Sequence, residues 1–286
     1  MRARVAAWIL LLAAALVLAG CSTASMAYRN ARVLYENAAT FMLWSVEDYL
    51  DLNDAQKDLA RERLQKALEW HRRNALPAYA AFLAELDAQV DAGLTDEALR
   101  ADHERLRGFY RDLVEHLLPD AADLFATLDA SQVDDLEHRL AKADRRILEE
   151  ARASRDRAMG RTLGHLEAWT GPLTPAQREL VKSRLRALPD LTPQRVAEWR
   201  LRQARLVALM RTPPPPDAMV ARLHGLLFDT DAWRDPAYAR AVRERDESMV
   251  AMLAQLARTL DAEQVGSIKA RIRGLQADIV RAIRAS

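Results

Sequence analysis

Thr127-Leu128-Asp129-Ala130-Ser131-Gln132-Val133 returns later in the chain as Thr259-Leu260-Asp261-Ala262-Glu263-Gln264-Val265, identical at six of seven positions. Its five-residue core occurs twice more, as Leu52-Asn53-Asp54-Ala55-Gln56 and Leu173-Thr174-Pro175-Ala176-Gln177. Each copy has the chemistry of a helix start. Asn53, Asp129, Thr174 and Asp261 offer a short side-chain oxygen that accepts from an orphaned N–H of the first turn. Gln56, Gln132, Gln177 and Gln264, three residues on, are placed to reach back to the cap residue's own N–H, and the leucine before each cap to staple onto the first turn. Pro175 stands at the first helical position, where its missing N–H costs nothing. With 9 glycines in 286 residues and long Ala/Leu/Arg/Glu stretches, the chain reads as all-α.

Outward from these motifs the repetition continues. At the offset that relates the two seven-residue phrases, Arg111 meets Arg243, Ala122 meets Ala254, Leu124 meets Leu256, Arg139 meets Arg271 and Ile147 meets Ile279. The other two motifs agree more loosely, Gln56 leading to Trp70-His71-Arg72-Arg73 and Gln177 to Trp199-Arg200-Leu201-Arg202. The pattern predicts an elongated helical bundle built from two similar halves, 28–151 and 152–286, joined by a long helix over about 130–168. Val133, Leu136, Leu140, Ala143 and Ile147 give that helix a narrow apolar seam at heptad spacing, flanked by charge. Further helices are expected at about 30–50, 54–74, 77–91, 96–117, 175–187, 193–211, 217–227, 236–258 and 262–284. Pro77, Gly93, Pro119, Gly171-Pro172, Pro189, Pro213 to Pro216 and Pro236 stand at or beside their ends.

The first 27 residues have a different character. Arg2 and Arg4 precede an apolar run from Val5 to Ala19, which ends in Leu18-Ala19-Gly20-Cys21. This is the layout of a secretory signal, and the run falls short of the ~20 apolar residues a bilayer core requires. The tetrapeptide resembles the bacterial lipoprotein box. That resemblance implies removal of residues 1–20, acylation of Cys21 and a lipidated tether over 21–27. Several acyl chains, at about 0.8 kcal/mol per buried CH₂, make such an anchor effectively permanent. Under the sorting rule that these lipoproteins resemble, Asp after the cysteine retains a protein in the inner membrane. Ser22 therefore favours the outer membrane, facing the periplasm.

Loss of residues 1–20 takes Arg2 and Arg4 from the 42 basic side chains, leaving 40 against 41 acidic. The signs are interleaved, so there is no basic stripe and nucleic acid is not an expected partner. No two of the six histidines stand at the i, i+4 spacing of a helical metal pair. Glycine-rich phosphate loops and Gly-x-Ser-x-Gly elbows are absent from the sequence, so no catalytic residue, metal or cofactor is expected. The aromatic residues are more informative. Tyr28, Tyr35, Phe41, Trp44 and Tyr49 place 5 of 17 within residues 28–49, on a stretch apolar on more than one face. Such a helix is either core, or a partner surface formed by Tyr35, Phe41, Trp44 and Tyr49.

The repeated Leu-(Thr/Asp/Asn)-x-x-Gln motifs resemble those of the Spy/CpxP family of periplasmic helical proteins, cradle-shaped homodimers of which the best known holds unfolded clients without ATP. Over nearly its full length the chain resembles an uncharacterised family of proteobacterial lipoproteins. That likeness is carried by the lipobox, Trp44 with Asp48-Tyr49-Leu50-Asp51-Leu52, Trp70-His71-Arg72-Arg73 with Leu76-Pro77-Ala78-Tyr79, and Asp235-Pro236-Ala237-Tyr238. It implies an envelope location and an all-helical body. The expected function is therefore a lipid-anchored periplasmic binding protein, non-enzymatic and chaperone-like toward protein clients. The alternative is a structural or assembly lipoprotein with one dedicated envelope partner.

Replacing Cys21→Ala is expected to abolish incorporation of labelled palmitate and to leave residues 1–20 attached. Palmitate labelling that survives the substitution would contradict the lipoprotein reading.

Overall fold

The four capping motifs begin helices where their chemistry requires. In this computed structural model, which describes residues 37–152 and 155–284, the motif helices are α2 (Asp54–Trp70), α5 (Ala130–Arg152), α7 (Pro175–Ala187) and α11 (Ala262–Arg284). Around them lie α1 (Ala38–Glu47), α3 (Leu76–Ala92), α4 (Asp96–Ala126), α6 (Arg155–Thr170), α8 (Thr192–Arg211), α9 (Pro216–Leu227) and α10 (Pro236–Ala257). A π turn (His71–Ala75) and a short 3₁₀ turn (Thr230–Ala232) complete the set. The fold is all-α, and no strand occurs among the described residues. None of the described helices is long and apolar enough to cross a membrane.

Two proline positions differ from expectation. Pro119 lies inside α4, which continues to Ala126. An interior proline costs about 3 kcal/mol, but Leu118, Ala122, Leu124 and Phe125 are all buried beyond the expected end, each large side chain contributing about 1.5–3 kcal/mol. Burial of that face outweighs the lost hydrogen bond. Pro77 does not follow a break either, because the π turn runs directly from α2 into α3 and the proline falls in the first turn of α3. The expected long helix over 130–168 is described as α5 and α6, with residues 153 and 154 outside the described set.

The helices gather into two compact units, neither of which is a sequence half. The first comprises the described residues up to Arg72, Phe109–Arg152 and Thr192–Asp235; the second comprises Arg73–Gly108, residues 155–191 and those from Pro236 onward. Each therefore draws on both 28–151 and 152–286, because helix faces bury against whichever partners match them, near in the chain or far. In the first unit α1 packs on α2 and α8 on α5. Its core contains Leu43, Leu50, Phe125, Met210 and Leu223, together with the predicted α5 seam of Val133, Leu136, Leu140 and Ala143. In the second unit α11 lies along α3, burying Ile272 against Leu83 and Val90. Leu163, Leu173, Val181, Met252 and Leu256 close the space between α6, α7 and α10.

His71, in the π turn, is 2 % exposed. Burial penalises its charged form and lowers its pKa from 6.5 to about 4. Between those values the unfolded chain binds a proton that the folded chain refuses. The contribution to stability is therefore whole above pH 6.5 and is lost as pH falls toward 4, by about 3 kcal/mol in total. His71→Leu is expected to flatten denaturation midpoints measured across this window. An unchanged pH profile would show that another group carries the acid sensitivity.

Candidate functional site

Each of the four motifs forms a complete capping box and then goes further. In the first unit Asn53 Oδ1 accepts from the Gln56 N–H at 3.0 Å, and the Asn53 N–H donates to Gln56 Oε1 at 3.0 Å. Asp129 and Gln132 repeat the exchange at 2.9 and 3.0 Å. The two glutamine side chains also meet. Gln56 Nε2 donates to Gln132 Oε1 at 3.0 Å, and Gln132 Nε2 donates back to Gln56 Oε1 at 2.7 Å. The remaining amide hydrogens go to backbone carbonyls, Gln56 to Thr127 and Gln132 to Asp51. Both side chains are buried, and every donor and acceptor of the two amides is used.

The second unit builds the same interlock from Thr174, Gln177, Asp261 and Gln264. Gln177 and Gln264 exchange hydrogen bonds at 2.8 and 2.9 Å, and their other amide hydrogens go to the Thr259 and Pro172 carbonyls. The caps close at 2.9 and 3.3 Å for Thr174 and at 2.8 and 3.2 Å for Asp261. Thr127, Asp51, Thr259 and Pro172 all stand two residues before a cap. Every glutamine thus reads the same backbone position of its partner motif. All eight capping residues singled out in the sequence are therefore brought together as two sites of four. Their pairing across the chain was not predicted. The available signal was that all four motifs carry Gln and none Glu, although either serves a capping box.

The aromatic set divides. Phe41 and Trp44 are 46 % and 58 % exposed, while Met42 and Leu43 beside them are buried. Their rings meet edge to face with centroids 5.4 Å apart. Tyr49 is half-buried against the core of the first unit. Tyr35 and Cys21 lie outside the described residues. α1 is therefore neither wholly core nor wholly surface: one face buries, and the other presents two adjacent aromatic rings. Trp70 is stacked on His116, centroids 3.9 Å apart and planes 11° from parallel. Burial is the chief cause that lowers the His116 pKa, which keeps that ring neutral near pH 7.

Residues 48–240 match the family of unknown function DUF6279, and the chain belongs to that family. No curated protein and no solved structure matches it.

Gln56→Leu leaves the Gln132 amide and the Asn53 N–H short of partners in a buried site, and is expected to cost about 2–3 kcal/mol in denaturant unfolding. Gln132→Leu should cost a similar amount. The double substitution should cost less than the sum by about 1–2 kcal/mol, because both halves of the amide exchange are then gone. Strict additivity would show that the two amides do not depend on each other.

Proposed function

We propose that this member of the DUF6279 family is a non-enzymatic binding protein. In this reading it is anchored through Cys21 to the periplasmic face of the outer membrane and holds apolar segments of protein clients on α1. The observation that supports the reading is the pair of exposed rings at Phe41 and Trp44. Large aromatics cost free energy when left in water and recover it when a partner covers them, which is why such residues concentrate binding energy at interfaces. The neighbouring Met42 and Leu43 are locked in the core, so the rings sit on a rigid support and lose little freedom on binding.

In this reading the surface lies near the anchor. The 16 residues between Cys21 and α1 reach at most about 60 Å when fully extended, so a client held on α1 stays close to the membrane. An ATP-independent holder needs no more than an apolar face and a solvated body. The interleaved charge of the rest of the chain supplies the second.

The full chain in lipid nanodiscs is expected to suppress aggregation of a denatured model protein at stoichiometric ratio and without nucleotide. Phe41→Ser with Trp44→Ser should weaken client binding by about tenfold or more while leaving the melting curve nearly unchanged, since both side chains are exposed. Absence of suppression by the folded, unaltered chain would sink general client holding. A dedicated envelope partner, sought by crosslinking in membranes, would then be the better account.

A further inference from the structure

We propose that the first unit is also a receptor for a free medium-chain fatty acid, held inside its core. Independently of the exposed rings, α1, α2, α4, α5, α8 and α9 line a partly open cavity of about 170 Å³. Met42, Val46, Leu64, Leu118, Leu136 and Leu206 are among its apolar walls, and Phe41 and Trp44 are not part of it. Unfilled apolar volume in a core is destabilising, and an apolar occupant restores the lost contacts. An apolar cavity of about 150 Å³ takes a six-carbon ring, so this one accommodates about six to eight carbon atoms.

The polar atoms on the α8 side of the cavity define the other end of the ligand. Gln203 is 6 % exposed, lines the cavity, and has no acceptor for its Nε2. Arg202 beside it gives Nη2 to Glu198 at 2.9 Å, while its buried Nε also lacks a hydrogen-bond partner. Glu198 is shared with Arg234 at 2.6 and 3.0 Å. Arg63, on the α2 side, pairs its Nε with Asp120 at 3.4 Å and its Nη2 with Asp123 at 3.0 Å, and the Asp120 carboxylate it holds also lines the cavity. Both unmatched atoms, Gln203 Nε2 and Arg202 Nε, are donors on α8, so that side of the cavity is short of acceptors. A carboxylate is acceptor-only, with about four lone-pair directions, and it would meet these donors at the Arg202 side, away from the Asp120 carboxylate that Arg63 engages. An aliphatic tail with a carboxylate head meets both requirements. The unmatched donors belong to residues that line the cavity together with its apolar walls, which favours a free acid over the acyl tail of a phospholipid, whose ester stays with its headgroup.

The test is photo-crosslinking of the full chain in nanodiscs with a diazirine analogue of octanoate, followed by peptide mapping. Labelling is expected on cavity-lining segments of α1 and α8, displaced by octanoate and not by a lysophospholipid. Gln203→Leu should weaken labelling about tenfold, the loss of one hydrogen bond to a charged group. Gln203→Glu should weaken it further by placing carboxylate against carboxylate, and should make octylamine a better competitor than octanoate. Leu136→Trp should block labelling by filling the space. If that variant fails to melt cooperatively, the two Gln203 variants, which preserve volume, decide the matter. Labelling confined to segments outside the cavity, or indifferent to Gln203→Glu, overturns the proposal. Equal displacement by a lysophospholipid overturns the assignment to a free acid and points to a lipid acyl chain. Because neither Phe41 nor Trp44 is altered, loss of this site is distinguishable from loss of client holding.

Discussion

Two buried carboxamides facing each other satisfy one another only if both are glutamine at matching positions, and the structure depends on this constraint twice. Each amide has an oxygen that accepts from two donors and a nitrogen that gives two hydrogens. In the Gln56–Gln132 and Gln177–Gln264 pairs all of these are used within one small cluster. Glutamate would set two carboxylates against each other in a dry site, and asparagine is a methylene too short to cap from the third helical position. The interlock therefore ties the first turns of α2 and α5, and of α7 and α11, at fixed geometry. A low-dielectric setting makes such a network strong when complete and costly when broken.

The rest of the first unit hangs from that junction. α5 leaves the interlock with its seam already aimed into the core, and Arg139 on the same helix donates to the Glu47 and Asp48 carbonyls at 3.2 and 3.3 Å. Those carbonyls belong to the frayed end of α1, where a cation is favourable both to the unpaired oxygens and to the helix dipole. α1 is thereby held at its end by the helix that carries Gln132. Its buried face and its exposed aromatic face follow from that placement. The second unit repeats the logic with a variation. Arg271, the counterpart of Arg139, lies over the Trp169 ring at 5.3 Å, and Trp169 stands five residues before Thr174 as Asp48 stands five before Asn53.

How much of this was legible in the sequence follows from the range of each interaction. Helix starts at Asp54, Ala130, Pro175 and Ala262 were readable because a capping box is decided within four residues. The partnership of Gln56 with Gln132, and of Gln177 with Gln264, was not, since it joins motifs 76 and 87 residues apart. Pro119 misled because a local breaker carries a fixed penalty, while the compensating burial of Leu118 and Phe125 is decided by distant helices. The same limitation explains why compact units cut across the repeated halves. In α1, with apolar side chains nearly all round, periodicity had no means of assigning Met42 and Leu43 to the core and Phe41 and Trp44 to solvent. Gln203 gave no signal, because a single amide in an Arg- and Leu-rich helix is unremarked until its neighbours are known.

The repeated frame also separates what is scaffold from what is specific. Counting back from the caps, Met42 and Leu163 occupy equivalent positions eleven residues before Asn53 and Thr174, and both are buried. On the same count Phe41 and Trp44 correspond to Thr162 and His165, so the open aromatic pair of the first unit has a polar counterpart in the second. If the rings were required by the frame, the second unit would need them too, yet it forms the same interlock without them. Leaving two large aromatics in water is costly to the unit that carries them, and nothing in the shared architecture compensates for it. That imbalance supports the proposed binding surface, set on one unit of a repeated scaffold and absent from its counterpart.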